Sequence, residues 1–333
     1  GESVEKVEVA KGFVNITLAK GAVAFAIAEA WAQGTEWGRG EAEKEKRVIV
    51  EYTDPNPFKE MHIGHLMSNT IGESISRLIE NEGAKVIRAC YSGDVGPHVA
   101  KALAGYSFKP FENEFEELIR SGGSLEEKVD LLGRMYAYGN LNYRPKAEGG
   151  NKELIDKLNV EIYAGEMNPL VKHVYEKGRE WSLTHFEMIY RVLGTKFDYY
   201  FFESETAEPG MRVVRDGVSK GIFEESEGAV IYRGEEKGLH TLVFITSRGT
   251  PTYEAKDIGL AFLKEERAPN DRSIILTGTE QIGHFKVILA ALSEIAPLIA
   301  AKTTHVPHGL LRLVSGKMSS REGNVITAMG FIQ

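Results

Sequence analysis

Residues 47 to 91 follow the order strand, turn, helix, strand, and this order constrains the fold more than any other feature of the chain. A strand-like run from Arg47 to Tyr52 leads through a proline-rich turn into apolar residues at helical spacing. A second strand-like run extends from Ala84 to Tyr91, and Gly83 fits the end of the intervening helix. The pattern predicts a βαβ unit, and nucleotides bind such units where the first strand ends.

The expected start of this helix contains His62-Ile63-Gly64-His65. A glycine at a helix start lets a phosphate or a purine approach the backbone, and the helix dipole favours a polyanion. His62 and His65 are three positions apart, so both can donate hydrogen bonds to phosphoryl oxygens as negative charge builds up. A pair of surface histidines near a helix start is the alternative interpretation.

A second polar segment, Ser315 to Asn324, lies near the opposite end of the chain. It has no apolar periodicity and contains two glycines, which predicts a loop. Lys317 can neutralise a leaving pyrophosphate, and the serine hydroxyls add further donors. A strand-like run from Leu310 to Val314 precedes the loop, so both segments follow predicted strands. The alternative is an ordinary solvated polar loop.

The two segments resemble the signatures of class I aminoacyl-tRNA synthetases, His-Ile-Gly-His and Lys-Met-Ser-Lys-Ser. Three further stretches resemble the arginyl-tRNA synthetases of that class and occur in the family's order: Val50 to Pro57, Thr250 to Gly259, and Gly278 to His284. The resemblance extends from about Val9 to the last residues. It implies an α/β fold, namely a Rossmann-like class I synthetase catalytic domain with a helical insertion, plus a remnant of an N-terminal α+β domain.

The resemblance predicts four segments along the chain. Residues 1–45 are expected to be the end of an N-terminal, tRNA-elbow-binding domain with its linker, and Val9 to Leu18 the last strand of that domain. Residues 46–108 are expected to be the first half of the catalytic domain. Residues 109–235 are expected to be an insertion, and residues 236–333 the second half through the Lys-Met-Ser-Ser-Arg loop. In this interpretation the chain is a fragment without the C-terminal anticodon-binding domain, and it charges tRNA poorly.

Local patterns add detail to these segments. Residues 109–191 show charged helical stretches, and Phe197 to Ser204 predicts another strand. Ala229 to Tyr232 and Leu242 to Thr246 predict a hairpin-like pair. A third strand-to-helix junction follows the apolar run from Ile274 to Leu276.

By resemblance, the first group of site residues serves catalysis and ATP binding. The fourth residue of the second signature is Ser320, where most class I enzymes carry a lysine. Arginyl enzymes commonly show this change, and a lysine just upstream of the first signature is thought to supply the charge. Lys59 stands there, although it can also be an ordinary exposed lysine. The implied catalytic residues are His62, His65, Lys317 and Lys59, and the implied ATP-binding residues are Gly64, Gly278, His284, Met318 and Ser319.

A second group concerns the amino acid. A pocket selective for arginine should offer carboxylates for the planar, permanently charged guanidinium, together with an aromatic face. Asp257 and Tyr253 have these properties, and they share one face if a helix begins near Tyr253. Tyr253 can instead pack in the core, and Asp257 can cap the following helix. By resemblance, the arginine-binding residues are Glu51, Asn56, Tyr253, Asp257 and Gln281.

The implied activity is ATP-dependent conversion of arginine to arginyl-adenylate, followed by transfer to the 2′-hydroxyl of the terminal adenosine of tRNA(Arg). The expected ligands are ATP with Mg²⁺, L-arginine and tRNA(Arg), with no metal site built by the protein, and the expected state is a monomer. Two alternatives remain open. One is a small-molecule nucleotidylyltransferase with the same nucleotide fold, and the other is a non-catalytic tRNA-binding module derived from a synthetase.

Composition limits the class of protein without identifying it. With 333 residues, 42% of them hydrophobic, the chain can bury a sizeable core. Ala22 to Ala32 is too short an apolar run to span a membrane, and the single Cys90 excludes an internal disulfide framework, so a cytoplasmic location is expected. The net charge of −8 argues against a broadly basic nucleic-acid-binding surface, although local basic patches can still hold tRNA.

Overall fold

A β-hairpin and a helix begin the described part of the chain, and their residues are largely exposed. The single strand predicted from Val9 to Leu18 is wrong. Lys11 and Gly12 have φ angles of 51° and 83°, so they form a tight turn that divides the segment into two antiparallel strands. The elements are β1 (Val4–Ala10), β2 (Phe13–Leu18) and α1 (Lys20–Gln33). The computed structural model describes residues 3–107, 111–311 and 326–332.

The predicted βαβ unit is confirmed, and its first strand is buried on both faces. Val48 and Val50 pack in one apolar cluster, whereas Ile49 packs in another, because successive side chains of a strand point to opposite faces. All three side chains are 0% exposed, as expected for a strand inside a parallel sheet covered on both sides. The elements are β3 (Arg47–Glu51), α2 (Ile63–Asn81) and β4 (Lys85–Ser92).

Helices follow β4, and those within residues 111–193 confirm the helical stretches predicted for residues 109–191. They enclose an apolar core of their own that includes Leu103, Phe115, Leu131 and Trp181. Among the described residues, none of the helices has both the length and the apolar character needed to cross a membrane. The helices are α3 (Pro97–Tyr106), α4 (Phe111–Ser121), α5 (Leu125–Leu141), α6 (Lys152–Ala164) and α7 (Pro169–Leu193).

The next part of the chain places a long helix, α9, against α8. The strand predicted from Phe197 to Ser204 is confirmed, but it is only four residues long because the helix α8 begins directly after it. The hairpin-like pair predicted within residues 229–246 is confirmed as the antiparallel strands β7 and β8. A Cβ atom added at Gly210 would overlap the carbonyl of Ala255, and one at Gly259 would overlap the carbonyl of Thr206. The two glycines therefore permit the close approach of α8 and α9. The elements are β5 (Tyr199–Phe202), α8 (Glu203–Ser219), β6 (Glu224–Ser226), β7 (Ala229–Tyr232), β8 (Leu242–Ile245) and α9 (Tyr253–Arg267).

The last described elements correct one prediction. Leu310 and Leu311 belong to no strand, and the rest of the strand predicted through Val314 lies outside the described residues. The preceding residues form β10 instead, whose half-buried side chains suit an edge strand that pairs on one side only. The elements are β9 (Arg272–Gly278), α10 (Ile282–Ile295), α11 (Pro297–Lys302), β10 (Thr303–His308) and α12 (Ala328–Ile332).

The five strands of the central sheet are all parallel, in the order β10-β9-β3-β4-β5. From β3 the chain adds β4 and β5 on one side, and it then returns to add β9 and β10 on the other. The strand order therefore reverses between β3 and β9. In an open sheet of this kind, ligands bind outside the carboxyl ends of the strands at the point of reversal.

Candidate active site

A strained turn connects β3 to α2 at this point of the sheet. Thr53, Asp54 and Phe58 have φ angles of 81°, 48° and 65°, a region that residues other than glycine rarely adopt. The backbone N–H of Thr53 donates to Ser68 Oγ over 3.1 Å, and that of Phe58 donates to Ser182 Oγ over 3.0 Å. Because buried hydroxyls from α2 and α7 hold the turn, the start of α2 has a fixed position.

Two histidines cap the start of α2 reciprocally. His62 is the N-cap residue, and its Nδ1 accepts a hydrogen bond of 3.1 Å from the Gly64 N–H. His65 Nδ1 accepts one of 3.1 Å from the His62 N–H, and the two rings stack with their centroids 3.9 Å apart. A Cβ atom at position 64 would lie 2.8 Å from the His62 ring, so the glycine is needed for this arrangement.

The caps also fix the protonation of both rings. Because each Nδ1 accepts from a backbone N–H, each neutral ring carries its proton on Nε2. Burial, followed by the positive charge of Lys59, lowers the pKa of His62. Burial, followed by the charges of His62 and Lys59, lowers the pKa of His65 well below its ordinary value. The two imidazoles are therefore neutral at pH 7, and each keeps one N–H free of the helix cap.

Lys59 is three residues before His62 in the chain, and its positive charge contributes to the lowered pKa of both histidines. Its ammonium is also 4.8 Å from the centroid of the Tyr136 ring, on the helical insertion. The alternative that Lys59 is an ordinary solvent-exposed lysine is therefore not favoured. Its contribution of charge to a phosphate remains a prediction.

The described chain resumes at Ile326 directly beside the histidines. Thr327 forms an antiparallel bridge with His62, and the Ile63 N–H donates to the Ile326 carbonyl over 3.1 Å. The Ala328 N–H donates to the Met61 carbonyl over 2.7 Å. The residues that follow the second signature are thus hydrogen-bonded to the first. The five residues of that signature lie outside the described part of the chain: Lys317, Met318, Ser319, Ser320 and Arg321.

Two residues predicted to bind the amino acid flank the strained turn. Asn56 Oδ1 accepts from the Gly93 N–H over 3.0 Å. Glu51 is 3% exposed and forms a buried ion pair with Lys264 of α9. Burial raises the pKa of Glu51 in spite of the Lys264 charge. Both residues lie at the carboxyl end of β3, but their contacts here are with the protein, so their binding of the α-ammonium group remains a prediction.

The start of α9 presents Tyr253 and Asp257 one turn apart. Thr252 is the N-cap residue of this helix, so the alternative that Asp257 caps a helix is wrong. Tyr253 is 53% exposed, which does not fit the alternative of core packing. The Lys256 ammonium lies 4.3 Å from the centroid of the Tyr253 ring. The two residues predicted to hold a guanidinium therefore share one helix face, as their spacing indicated.

Asp257 is paired with His284 of α10. His284 Nε2 is 2.5 Å from Asp257 Oδ2, and His284 Nδ1 is 3.4 Å from Glu254 Oε1. Burial lowers the pKa of His284, but hydrogen bonds to the two carboxylates outweigh it and raise the pKa to about 10. The ring is thus a cation at pH 7. Its predicted place in the adenosine pocket remains a prediction, whereas its contacts here are with the carboxylates of α9.

A second buried ion pair joins α9 to the start of α8. Lys256 is 2% exposed and pairs with Glu203 at the start of α8, and its ammonium also donates to the Tyr163 hydroxyl over 3.2 Å. Burial raises the pKa of Glu203 even though Lys256 opposes this change. Burial lowers the pKa of Lys256, but the Glu203 charge outweighs it and the net change is upward.

The junction after β9 leads from the sheet into α10. Gly278 ends β9, and Gln281 is the N-cap residue of α10, so the predicted strand-to-helix junction is confirmed. Phe285 stacks on His305 with the ring centroids 4.3 Å apart, and His305 Nε2 is 2.8 Å from Thr277 Oγ1. Among the described residues, no group of three or more His, Cys, Asp and Glu side chains is arranged to hold a metal ion.

The structure adds charged residues that the sequence patterns did not single out. Glu254 is three positions before Asp257, and this spacing on a helix was the available signal for a second carboxylate on the same face. Lys256, Lys264 and Glu203 have no such signal, because their pairing joins elements that are distant in sequence.

Comparison with known proteins establishes the family. The profile described as tRNA synthetases class I (R), catalytic domain, matches residues 26–333. The chain therefore belongs to the class I tRNA synthetases, within the family that this arginyl-type catalytic domain defines. A relative named arginine–tRNA ligase, from Treponema pallidum subsp. pallidum, is 32% identical over 319 residues, which are 95% of this chain and 52% of that protein.

Two solved structures are similar in fold. Thermus thermophilus arginyl-tRNA synthetase has a TM-score of 0.69 and 21% identity, over 99% of this chain and 57% of that one. The crystal structure of the Plasmodium falciparum arginyl-tRNA synthetase has a TM-score of 0.65 and 22% identity, over 95% and 54%. The chain spans about half the length of the curated relatives it matches.

Replacing Lys256 by Met tests the buried ion pair. The variant leaves the Glu203 carboxylate buried without its counter-ion, so the free energy of unfolding should fall by about 3–5 kcal/mol near neutral pH. Without the lysine, the pKa of Glu203 rises further above its unfolded value. The folded state then binds the extra proton, and the variant should lose stability as pH rises from about 5 to about 8. Urea denaturation at several pH values measures both effects.

The double variant Glu203→Gln/Lys256→Met is the matched control, because it removes both charges and should regain most of the lost stability. A single variant as stable as the wild type at every pH would show that the two groups are not a buried ion pair.

Proposed function

We propose that the chain is the catalytic portion of an arginine–tRNA ligase, which activates arginine with ATP. The observation that carries the proposal is the arrangement at the reversal point of the sheet. Two neutral imidazoles cap the start of α2 just after β3, and Asp257 of α9 lines a cavity together with Glu51, the last residue of the same strand. Membership of the family and the names of the relatives support the same activity.

The first step joins the arginine carboxylate to the α-phosphorus of ATP. A carboxylate oxygen attacks in line, the bond from the α-phosphorus to the bridging oxygen breaks, and pyrophosphate leaves with that electron pair. No proton transfer and no covalent enzyme intermediate are required, so catalysis consists of positioning and charge stabilisation. His62 and His65 supply neutral Nε2–H donors to the phosphoryl oxygens, and Lys59 and Lys317 supply positive charge.

Arginine recognition requires groups that distinguish a guanidinium from other side chains. Asp257 accepts from the guanidinium, Tyr253 provides an aromatic face, and Gln281 adds a polar contact from the start of α10. A guanidinium bonds a carboxylate through two parallel N–H donors, which neither an ammonium nor a neutral amide reproduces. Glu51 and Asn56 contact the α-ammonium end of arginine. For this contact, Glu51 must leave its ion pair with Lys264.

The remaining ligands follow from the same activity. ATP lies between the start of α2 and the junction at Gly278, near His284 and with Gly64, Met318 and Ser319 as further contacts, and Mg²⁺ accompanies its phosphates. The whole protein passes arginine to the 2′-hydroxyl of tRNA(Arg), as a cytoplasmic monomer. The family match argues against the nucleotidylyltransferase alternative. The intact, capped histidines argue against a non-catalytic module.

Calorimetry with non-hydrolysable aminoacyl-adenylate analogues tests the proposal. The arginyl analogue should bind tightly, and the glutamyl, glutaminyl and cysteinyl analogues should bind far more weakly. Asp257→Ala should weaken arginyl binding by roughly 100-fold, because truncating one partner of a buried charge pair costs about 2–5 kcal/mol.

Asp216→Ala is the matched control, since Asp216 is exposed on α8. It should bind the arginyl analogue like the wild type. Equal binding of all four analogues by a folded chain would refute the arginine assignment.

A pair of variants at His62 separates its capping role from its catalytic role. Asparagine places an oxygen near the Nδ1 position and keeps the cap, but it removes the Nε2–H donor. His62→Asn should therefore keep its stability and lower the rate of adenylate formation by about 100-fold. Arginine-dependent ATP–pyrophosphate exchange, with tRNA present, measures the rate.

Glutamine extends an amide donor toward the Nε2 position but forms a poorer cap. His62→Gln should therefore retain more activity than His62→Asn while losing about 1 kcal/mol of stability. The opposite order of activities would mean that His62 acts through the helix start and not through its Nε2–H.

A further inference from the structure

The His284 ring contacts two carboxylates of the proposed arginine pocket at the same time. Its Nε2 is 2.5 Å from Asp257 Oδ2, and its Nδ1 is 3.4 Å from Glu254 Oε1. The three side chains are each only 16% exposed. A planar cation with two N–H donors directed at two carboxylate acceptors is also the arrangement by which a guanidinium is bound.

We infer that His284 is a specificity-determining residue: its ring pairs with Asp257 when no ligand is bound, and the guanidinium of arginine displaces the ring from this carboxylate. Glu254 is the second acceptor, which keeps the displaced ring next to the pocket. This inference rests on the proposed function, since it concerns the same amino-acid site. It assigns roles to Glu254 and His284 that go beyond the binding of arginine by Asp257.

Displacement selects for charge and for geometry. A ligand binds Asp257 only if its interaction free energy with the carboxylate is more favourable than that of the imidazolium already paired with it. A guanidinium meets this condition through a fixed charge and two parallel donors. Citrulline has nearly the same shape but no charge, so it leaves the pair between His284 and Asp257 in place. The resident ring therefore excludes neutral isosteres more strongly than an empty carboxylate would.

The displaced ring loses its shorter hydrogen bond and lies near a second cation. Both changes lower its pKa from about 10, so the pocket binds fewer protons with arginine than without it. By linkage, arginine affinity then rises with pH between the pKa of the displaced ring and that of the paired ring. A ring that kept Asp257 would give no such dependence.

Other charged groups near the ring do not produce this behaviour. Glu254 and Asp257 face it from α9, and His305 faces it from β10. Burial, followed by the positive charge of His284, lowers the pKa of His305 to about 4, so His305 is neutral throughout the relevant range. The Glu51 and Lys264 pair beyond Asp257 is buried. On arginine binding, Glu51 exchanges the Lys264 ammonium for the α-ammonium of the ligand, so it keeps a cation beside it. The His284 ring instead loses an opposite charge, and within this set it is therefore the group whose charge arginine binding is expected to change.

Nuclear magnetic resonance of the chain with ring-labelled histidine tests the inference, with L-arginine as the probe. Without ligand, the His284 ring should stay protonated to about pH 9. Saturating arginine should lower its pKa by about 1–3 units, which is the usual effect of losing an opposite charge or gaining a like charge. Citrulline at the same concentration should not change it. The resonance is assigned by its absence from the His284→Gln spectrum.

Calorimetry of arginine binding supplies the second measurement. The dissociation constant of the wild type should fall between about pH 7 and about pH 8.5, and His284→Gln should abolish this dependence. His305→Gln is the matched control, because it removes a neighbouring histidine that stays neutral, and it should preserve the dependence. Glu254→Gln should lower the pKa of the ligand-free His284 ring.

Two results would overturn the inference without affecting the proposed function. One is a His284 ring that titrates near its ordinary pKa without ligand, and the other is a raised pKa that arginine leaves unchanged while it binds. A chain that binds neither arginine nor the arginyl analogue would instead refute the proposed function and the displacement together.

Discussion

The parallel pairing of β3 with β9 is the constraint on which the site depends. These strands are adjacent in the sheet but are separated in sequence by the helical insertion and by α8 and α9. Their pairing places the turn after Glu51 beside the junction after Gly278, so α2 and α10 begin at one edge of the sheet. Without this pairing, the capped histidines and the proposed arginine pocket would belong to separate surfaces.

Three charge pairs fix α9 within this arrangement. Lys264 pairs with Glu51 of β3, Lys256 pairs with Glu203 of α8, and Asp257 pairs with His284 of α10. Buried ion pairs add little net stability compared with apolar packing, but each one penalises any orientation of the helix that separates its partners. Because the pairs reach a strand and two helices, they specify where α9 lies relative to these three elements.

The sequence predicts the elements better than it predicts their charge pairs. Apolar spacing locates β3, α2 and β4, because a strand buried on both faces has a continuous apolar run that local pattern reveals. The edge strand β10 has a mixed sequence with half-buried side chains, so no apolar run marks it in the sequence. The turn within the N-terminal hairpin depends on the φ angles of Lys11 and Gly12, which the apolar pattern of that segment hides.

In the candidate site too, the sequence predicts the positions of side chains along each element but not their partners. The spacing of His62 and His65, and that of Tyr253 and Asp257, gives helix faces directly. The partner that each side chain meets depends on the packing of distant segments, so the contact between His284 and the α9 carboxylates is not evident from either local sequence.

The central claim is that the start of α2 and the carboxylates of α9 are two ends of one site. A crystal structure of the chain with the non-hydrolysable arginyl-adenylate analogue tests this most directly. The group that replaces the α-phosphate should lie within hydrogen-bond distance of Nε2 of His62 or His65, with the guanidinium on Asp257. An analogue bound with its guanidinium away from Asp257, or with its phosphate substitute away from both histidines, would contradict the account.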